Sequence, residues 1–163
     1  MVATVLSRGQ ILDWLAEVAD PEIPVLSIID LGIVRDVVVE EAVTVSLSPT
    51  YSGCPATEVI EQSVVEALAK RGVGEVRIRR VLSPPWTTDW ISPSGREKLL
   101  NYGIAPPEYG ASKQALLDGA REINCPRCGS SNTAIASEFG STACKAAYRC
   151  DACLEPFEYF KCL

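Results

Sequence analysis

The chain predicts an α+β protein: a small α/β domain with a mixed sheet and helices on one side, followed by a short module held together by cysteines. Three observations point there. Apolar periodicity up to residue 82 runs in the order helix, strand, strand, helix, strand. Two Cys-x2-Cys pairs, Cys125/Cys128 and Cys150/Cys153, lie 21 residues apart near the C-terminus. Hydrophobic residues make up 47% and charged residues 22% of the 163 positions, a balance that supports a packed core and not wholesale disorder. The expected division is 1–107 for the α/β domain, 108–121 for a linker and 122–163 for the cysteine module.

The first helix is expected over Gln10 to Val18, where Ile11, Leu12, Trp14, Leu15 and Val18 form one apolar stripe and Asp20-Pro21 stops it. Val34 to Val39 is rich in β-branched residues and reads as a strand. Glu40-Glu41 makes the turn, and Ala42 to Leu47 returns antiparallel with Val43, Val45 and Leu47 on one face. Pro55 suits the first turn of a second helix, whose stripe of Val59, Ile60, Val64, Ala67 and Leu68 runs until Gly72. Glu75 to Leu82 is the third strand. The Trp- and Pro-rich segment 83–107, with a short helical stretch over Gly95 to Tyr102, is expected to wrap the core without extending the sheet, and its exposed parts suit a partner surface.

Composition removes several classes. No apolar run approaches the ~20 residues of a membrane span. MVATVLSRGQ has neither a basic n-region nor an apolar segment, so no export signal is expected and a cytoplasmic location follows. The net charge is −6, its acidic excess lies in residues 1–120, and only Arg77, Arg79 and Arg80 cluster, so nucleic acid is not an expected partner. The chain has no His, which excludes a Ser/His/Asp triad and any His-ligated metal. It also has no Gly-x-Gly-x-x-Gly loop for a dinucleotide.

What chemistry remains rests on cysteine and carboxylate. Two Cys-x2-Cys knuckles can aim four thiolates at one metal and fill the tetrahedron of a structural Zn²⁺, although iron suits the same sulfurs. A disulfide framework is disfavoured by seven cysteines, an odd number, and the missing export signal. Cys144 is a possible additional ligand or a buried free thiol, and Cys162 is uninformative. Cys54 stands apart. It sits at the threshold of the second helix, where unpaired N–H groups and the helix dipole favour a thiolate that can act as a ligand or nucleophile. Asp20, Glu22 and Asp30, on the segment after the first helix, are candidate supporting acids. No imidazole is available to activate Cys54 for acyl transfer.

The segments DPEIPVLSIIDLGIV (20–34), YSGCPA (51–56) and WTTDWISPSGREKLLNYGIAPP (86–107) resemble the MIP18-like (DUF59) family, and CPRC, FGSTACKAAYRC and CLEPFEYFKC narrow the resemblance to its phenylacetate-degradation branch. The resemblance implies a compact α/β fold tied to assembly or delivery of iron-sulfur clusters, with Cys54 as the family's cysteine and Asp20, Pro21, Glu22 and Asp30 in its acidic motif. It implies a transient iron or iron-sulfur cargo, and as partners the oxygenase or reductase components of a phenylacetyl-coenzyme A epoxidase. The expected role is accessory maturation, with Cys54 contacting cargo or partner. The alternatives are a noncatalytic structural component of the epoxidase complex and an independent thiol enzyme. A homodimer is a further expectation, since two Cys54 thiolates across a twofold axis can grip one cluster.

Overall fold

The computed structural model describes residues 6–110 and 122–161. The linker expected over 108–121 therefore falls, from residue 111, outside the described residues, as does Cys162. Two compact units divide the chain, Met1–Trp86 and Thr87–Leu163.

In the first unit α1 spans Arg8–Leu15, starting earlier and stopping sooner than its apolar stripe suggests. The early start follows from a capping box: the Ser7 hydroxyl accepts the Gln10 N–H at 3.2 Å while the Gln10 side-chain carbonyl accepts the Ser7 N–H at 3.1 Å. The early stop follows from tightening, as Glu17 and Val18 donate to the carbonyls three residues back, Trp14 and Leu15. Ile11, Leu15 and Val18 are buried.

β1 (Val34–Val39) and β2 (Val43–Leu47) form the expected antiparallel pair, and β3 (Val76–Arg80) joins β2 in parallel, giving a mixed sheet in the order β1-β2-β3. The 15-residue α2, Ala56–Lys70, makes the crossover that parallel strands require. It buries Ala56, Ile60, Val64 and Leu68, and Gly72, at φ 83°, turns the chain out. Each fully buried aliphatic side chain here contributes roughly 1.5–3 kcal/mol. The second face of β2 is partly covered: Thr44 is half-buried, whereas Ser46 is buried and its hydroxyl accepts from Arg79 Nε at 3.0 Å. Trp86 closes this core, donating its indole N–H to the Leu31 carbonyl at 2.8 Å.

Beyond Trp86 the chain enters the second unit. A 3₁₀ turn, Thr88–Trp90, leads into α3, Pro93–Tyr102, whose N-terminus is capped by Ser92 and which ends at Gly103, φ 91°. Then β4, Ile104–Ala105, pairs in parallel with β7, Pro156–Phe160. Segment 83–107 thus adds no strand to the β1-β2-β3 sheet, as expected, but its Ile104 and Ala105 become an edge of the second sheet, in the cysteine module, which the sequence pattern does not anticipate. With β5 (Thr133–Ser137) and β6 (Lys145–Cys150) the order is β4-β7-β6-β5. Ala105, Ile123, Cys125, Cys150, Phe157 and Tyr159 make its core.

Candidate metal centre and thiol cleft

The knuckles stand where two turns meet the ribbon strands. Cys125 precedes the first turn and Gly129, at φ 75°, closes it by donating to the Cys125 carbonyl at 2.9 Å. Cys150 ends β6 and Cys153 lies on the turn before β7. One ligand atom from each of Cys125, Cys128, Cys150 and Cys153 lies within 4.8 Å of the others, the one such group among the described residues that can hold a metal ion. Two of the approaches run between knuckles, 3.8 Å from Cys125 to Cys153 and 3.6 Å from Cys128 to Cys150. Cys125 and Cys150 are buried and Cys128 is exposed.

Backbone N–H groups, burial and the neighbouring sulfurs together set the protonation of these thiols. Cys150 is lowered to about 7, first because the Cys153 N–H donates to its sulfur. Cys153 is pushed up to about 12: a backbone N–H from Glu155 pulls it down, but burial and the neighbouring Cys150 sulfur outweigh that. Cys128 is likewise raised, the Ser130 backbone opposing and the Cys150 sulfur prevailing. Four sulfurs this close resist ionising together until a cation takes up the charge, which is the behaviour of a metal-accepting donor set. Cys144 is outside this group. It is buried, with its sulfur 3.0 Å from the Thr142 hydroxyl.

Cys54 is half-exposed on the loop into α2. Gly53, at φ 79°, supplies the left-handed turn before it, and the Cys54 carbonyl accepts the Thr57 N–H at 3.2 Å, the first closure of the helix. Its cleft, of about 540 Å³, is lined also by Pro49, Ser52, Glu58, Arg80 and Leu82. Arg80 is oriented by Glu61, which takes both its Nε and its Nη2, the latter at 2.9 Å, and this hydrogen bond holds the guanidinium above its ordinary value. Neither Arg80 nor Leu82 is marked as a site residue by the sequence pattern, although a topological signal exists. β2 and β3 are parallel, so their C-terminal ends open on the same side as the start of α2, where α/β folds place ligands.

Asp20, Glu22 and Asp30 do not line this cleft. Asp20 is buried and its Oδ1 accepts the N–H groups of Glu22 at 2.8 Å and Ile23 at 2.7 Å. Asp30 Oδ2 accepts both the N–H and the hydroxyl of Ser27 at 3.0 Å, and the Ser27 hydroxyl accepts the Asp30 N–H in return. Both aspartates brace the loop between α1 and β1.

Comparison with known proteins bears on both halves. The family model described as iron-sulfur cluster assembly protein matches residues 8–78, and that described as PaaD zinc beta ribbon domain matches residues 110–161. The chain is 53% identical over 150 residues to an Escherichia coli (strain K12) protein named as a component of 1,2-phenylacetyl-CoA epoxidase, covering 91% of this chain and 89% of that one. It is 36% identical over 88 residues to the Bacillus subtilis (strain 168) "Fe-S protein maturation auxiliary factor YitW", covering 52% of this chain and 85% of the relative. The crystal structure of a DUF59 domain from Bacillus anthracis is similar with a TM-score of 0.54 and 27% identity, covering 56% of this chain and 90% of that one.

Proposed function

The chain belongs to the MIP18-like (DUF59) family of iron-sulfur cluster assembly proteins, in its PaaD branch, and from that premise we propose that it is a noncatalytic accessory factor maturing an iron-sulfur component of a phenylacetyl-CoA epoxidase system. The observation that carries the reading is Cys54: a half-exposed thiol in an open cleft, inside the segment that matches the assembly family. Iron or a cluster is cargo here, held at Cys54 and passed on. The recipient is the reductase component, because the family resemblance implies that the epoxidase system's iron-sulfur centre is carried there. The buried Asp20 and Asp30 support this indirectly, by fixing the loop of the acidic motif.

Cys125, Cys128, Cys150 and Cys153 are the ligands of a structural Zn²⁺. Four thiolates suit its tetrahedron and leave no open position, so the ion supplies folding energy to the ribbon and takes no part in cluster transfer. The name of the Escherichia coli relative favours a second reading, a structural component of the epoxidase complex. Incorporation of iron and acid-labile sulfide into the reductase, with wild-type protein and with Cys54→Ser, separates the two. Loss of incorporation in the variant supports maturation. Unchanged incorporation, with stable co-elution with the oxygenase, supports the structural reading.

A further inference from the structure

β3 is the outer strand of its sheet: it pairs with β2 on one side and, among the described residues, with no strand on the other. In a parallel ladder successive residues turn their backbone groups alternately to the two sides. Val43 N–H donates to the Glu75 carbonyl at 2.9 Å and Val81 N–H to the Leu47 carbonyl at 2.8 Å. Residues 75, 77, 79 and 81 therefore face β2, and the N–H and C=O groups of Val76, Ile78 and Arg80 face outward. That row can hydrogen-bond an extended segment. The strand runs straight into the thiol cleft, because Arg80 is its last residue and Leu82, 68% exposed, lines the cleft with it beside Cys54.

Charge narrows the occupant. Arg77 and Arg80 are paired with Glu75 and Glu61, whereas the acceptor of the exposed Arg79 is the neutral Ser46 hydroxyl. The sheet face flanking this edge thus keeps a positive charge, at Arg79, in a chain of net charge −6. A second copy would set an arginine-rich strand against itself.

We propose that the outer edge of β3 docks the recipient iron-sulfur protein, adding an extended, acidic, cysteine-bearing segment as a fourth strand and leading its cysteine to the cargo at Cys54. The partner cysteine follows from the handover, in which a recipient thiolate forms its sulfur–iron bond as the Cys54 bond breaks and Cys54 leaves as thiolate, with no change of oxidation state. This rests on the assembly role given above to Cys54.

The test is amide-resolved hydrogen exchange of the full chain, with and without a synthetic peptide spanning the cluster-binding cysteines of the reductase component. In the free protein, Val76, Ile78 and Arg80 are expected to exchange faster than Arg77, Arg79 and Val81. The peptide is expected to slow the first set about tenfold or more, and Arg79→Gln to weaken its binding. Absence of binding, binding that leaves the first set unprotected, or protection of that set already in the free protein overturns the proposal. Cluster transfer measured with Cys54→Ser is a separate readout: transfer that survives this variant removes the assembly role, whereas transfer that needs Cys54 without protection at β3 removes only the docking strand.

Discussion

The backbone N–H of Cys153 points at the sulfur of Cys150 across 3.5 Å, so the second knuckle is organised around a thiolate by its own turn. Metal binding must then displace protons from the remaining thiols, Cys153 above all, whose own pKa is pushed up to about 12. Addition of Zn²⁺ to metal-free protein in weak buffer at neutral pH is expected to release protons, and the affinity to fall on acidification. A pH-indicator dye and a competing zinc chelator measure both. Zinc uptake without proton release would contradict the assignment.

Removal of the metal is expected to melt β5, β6 and β7, since Cys125 and Cys150 are core residues of that unit as well as ligands. The β1-β2-β3 sheet has its own core and is expected to persist. Circular dichroism and amide exchange after chelation, repeated on Cys150→Ser, check this. Loss of the β2 amide protection together with that of β6 would show that the metal holds both.

Lys145 is a buried cation, 5% exposed, with Nζ 3.0 Å from Glu158 Oε2. Burial alone would raise the Glu158 carboxyl, but the Ser141 N–H at 2.6 Å and Lys145 outweigh it and hold it below the ordinary carboxyl value. A carboxyl lowered in the fold stabilises at pH above its unfolded value and loses that contribution as pH falls through the folded one. Glu158→Gln is expected to cost about 1–3 kcal/mol at neutral pH. The gap to wild type should close on acidification below the usual carboxyl range. Denaturation across pH tests the sign, and a gap that widens in acid would reverse it.

Gly140 is required by the same contact. A Cβ there would lie 2.6 Å from Glu158 Oε1 and 3.3 Å from Lys145 Cβ. Gly140→Ala is expected to displace the Glu158 carboxylate and to lower stability, most of that loss disappearing in the Glu158→Gln background. Thermal melts of the double-mutant cycle decide it, and additive effects would place the cost elsewhere.

Trp86→Phe keeps a ring in the first unit's core but leaves the Leu31 carbonyl without its indole donor. The expected loss is about 1–3 kcal/mol in urea denaturation. No loss would mean that the carbonyl finds another partner.

Much of this protein is legible from short windows of its sequence. Val34–Val39 needs only its β-branched run to become a strand, Gly72 and Gly103 mark helix ends through their free φ, and the Cys-x2-Cys spacing fixes which four sulfurs can share an ion. These are decided by residues within a few positions of one another. Other features depend on residues far apart in the chain. Asp20 and Asp30 read from the sequence as candidate supporting acids for the Cys54 site, whereas in the fold they are buried and bonded to nearby N–H groups. Ile104–Ala105 becomes a strand only because β7, some fifty residues later, offers it an edge. Arg80 and Leu82 reach Cys54 only because α2 brings β3 parallel to β2. Local propensity and ligand spacing were therefore settled by sequence alone, whereas the neighbours of each functional atom were chosen by topology, since a hydrogen bond or a cleft depends on distance in space and not along the chain.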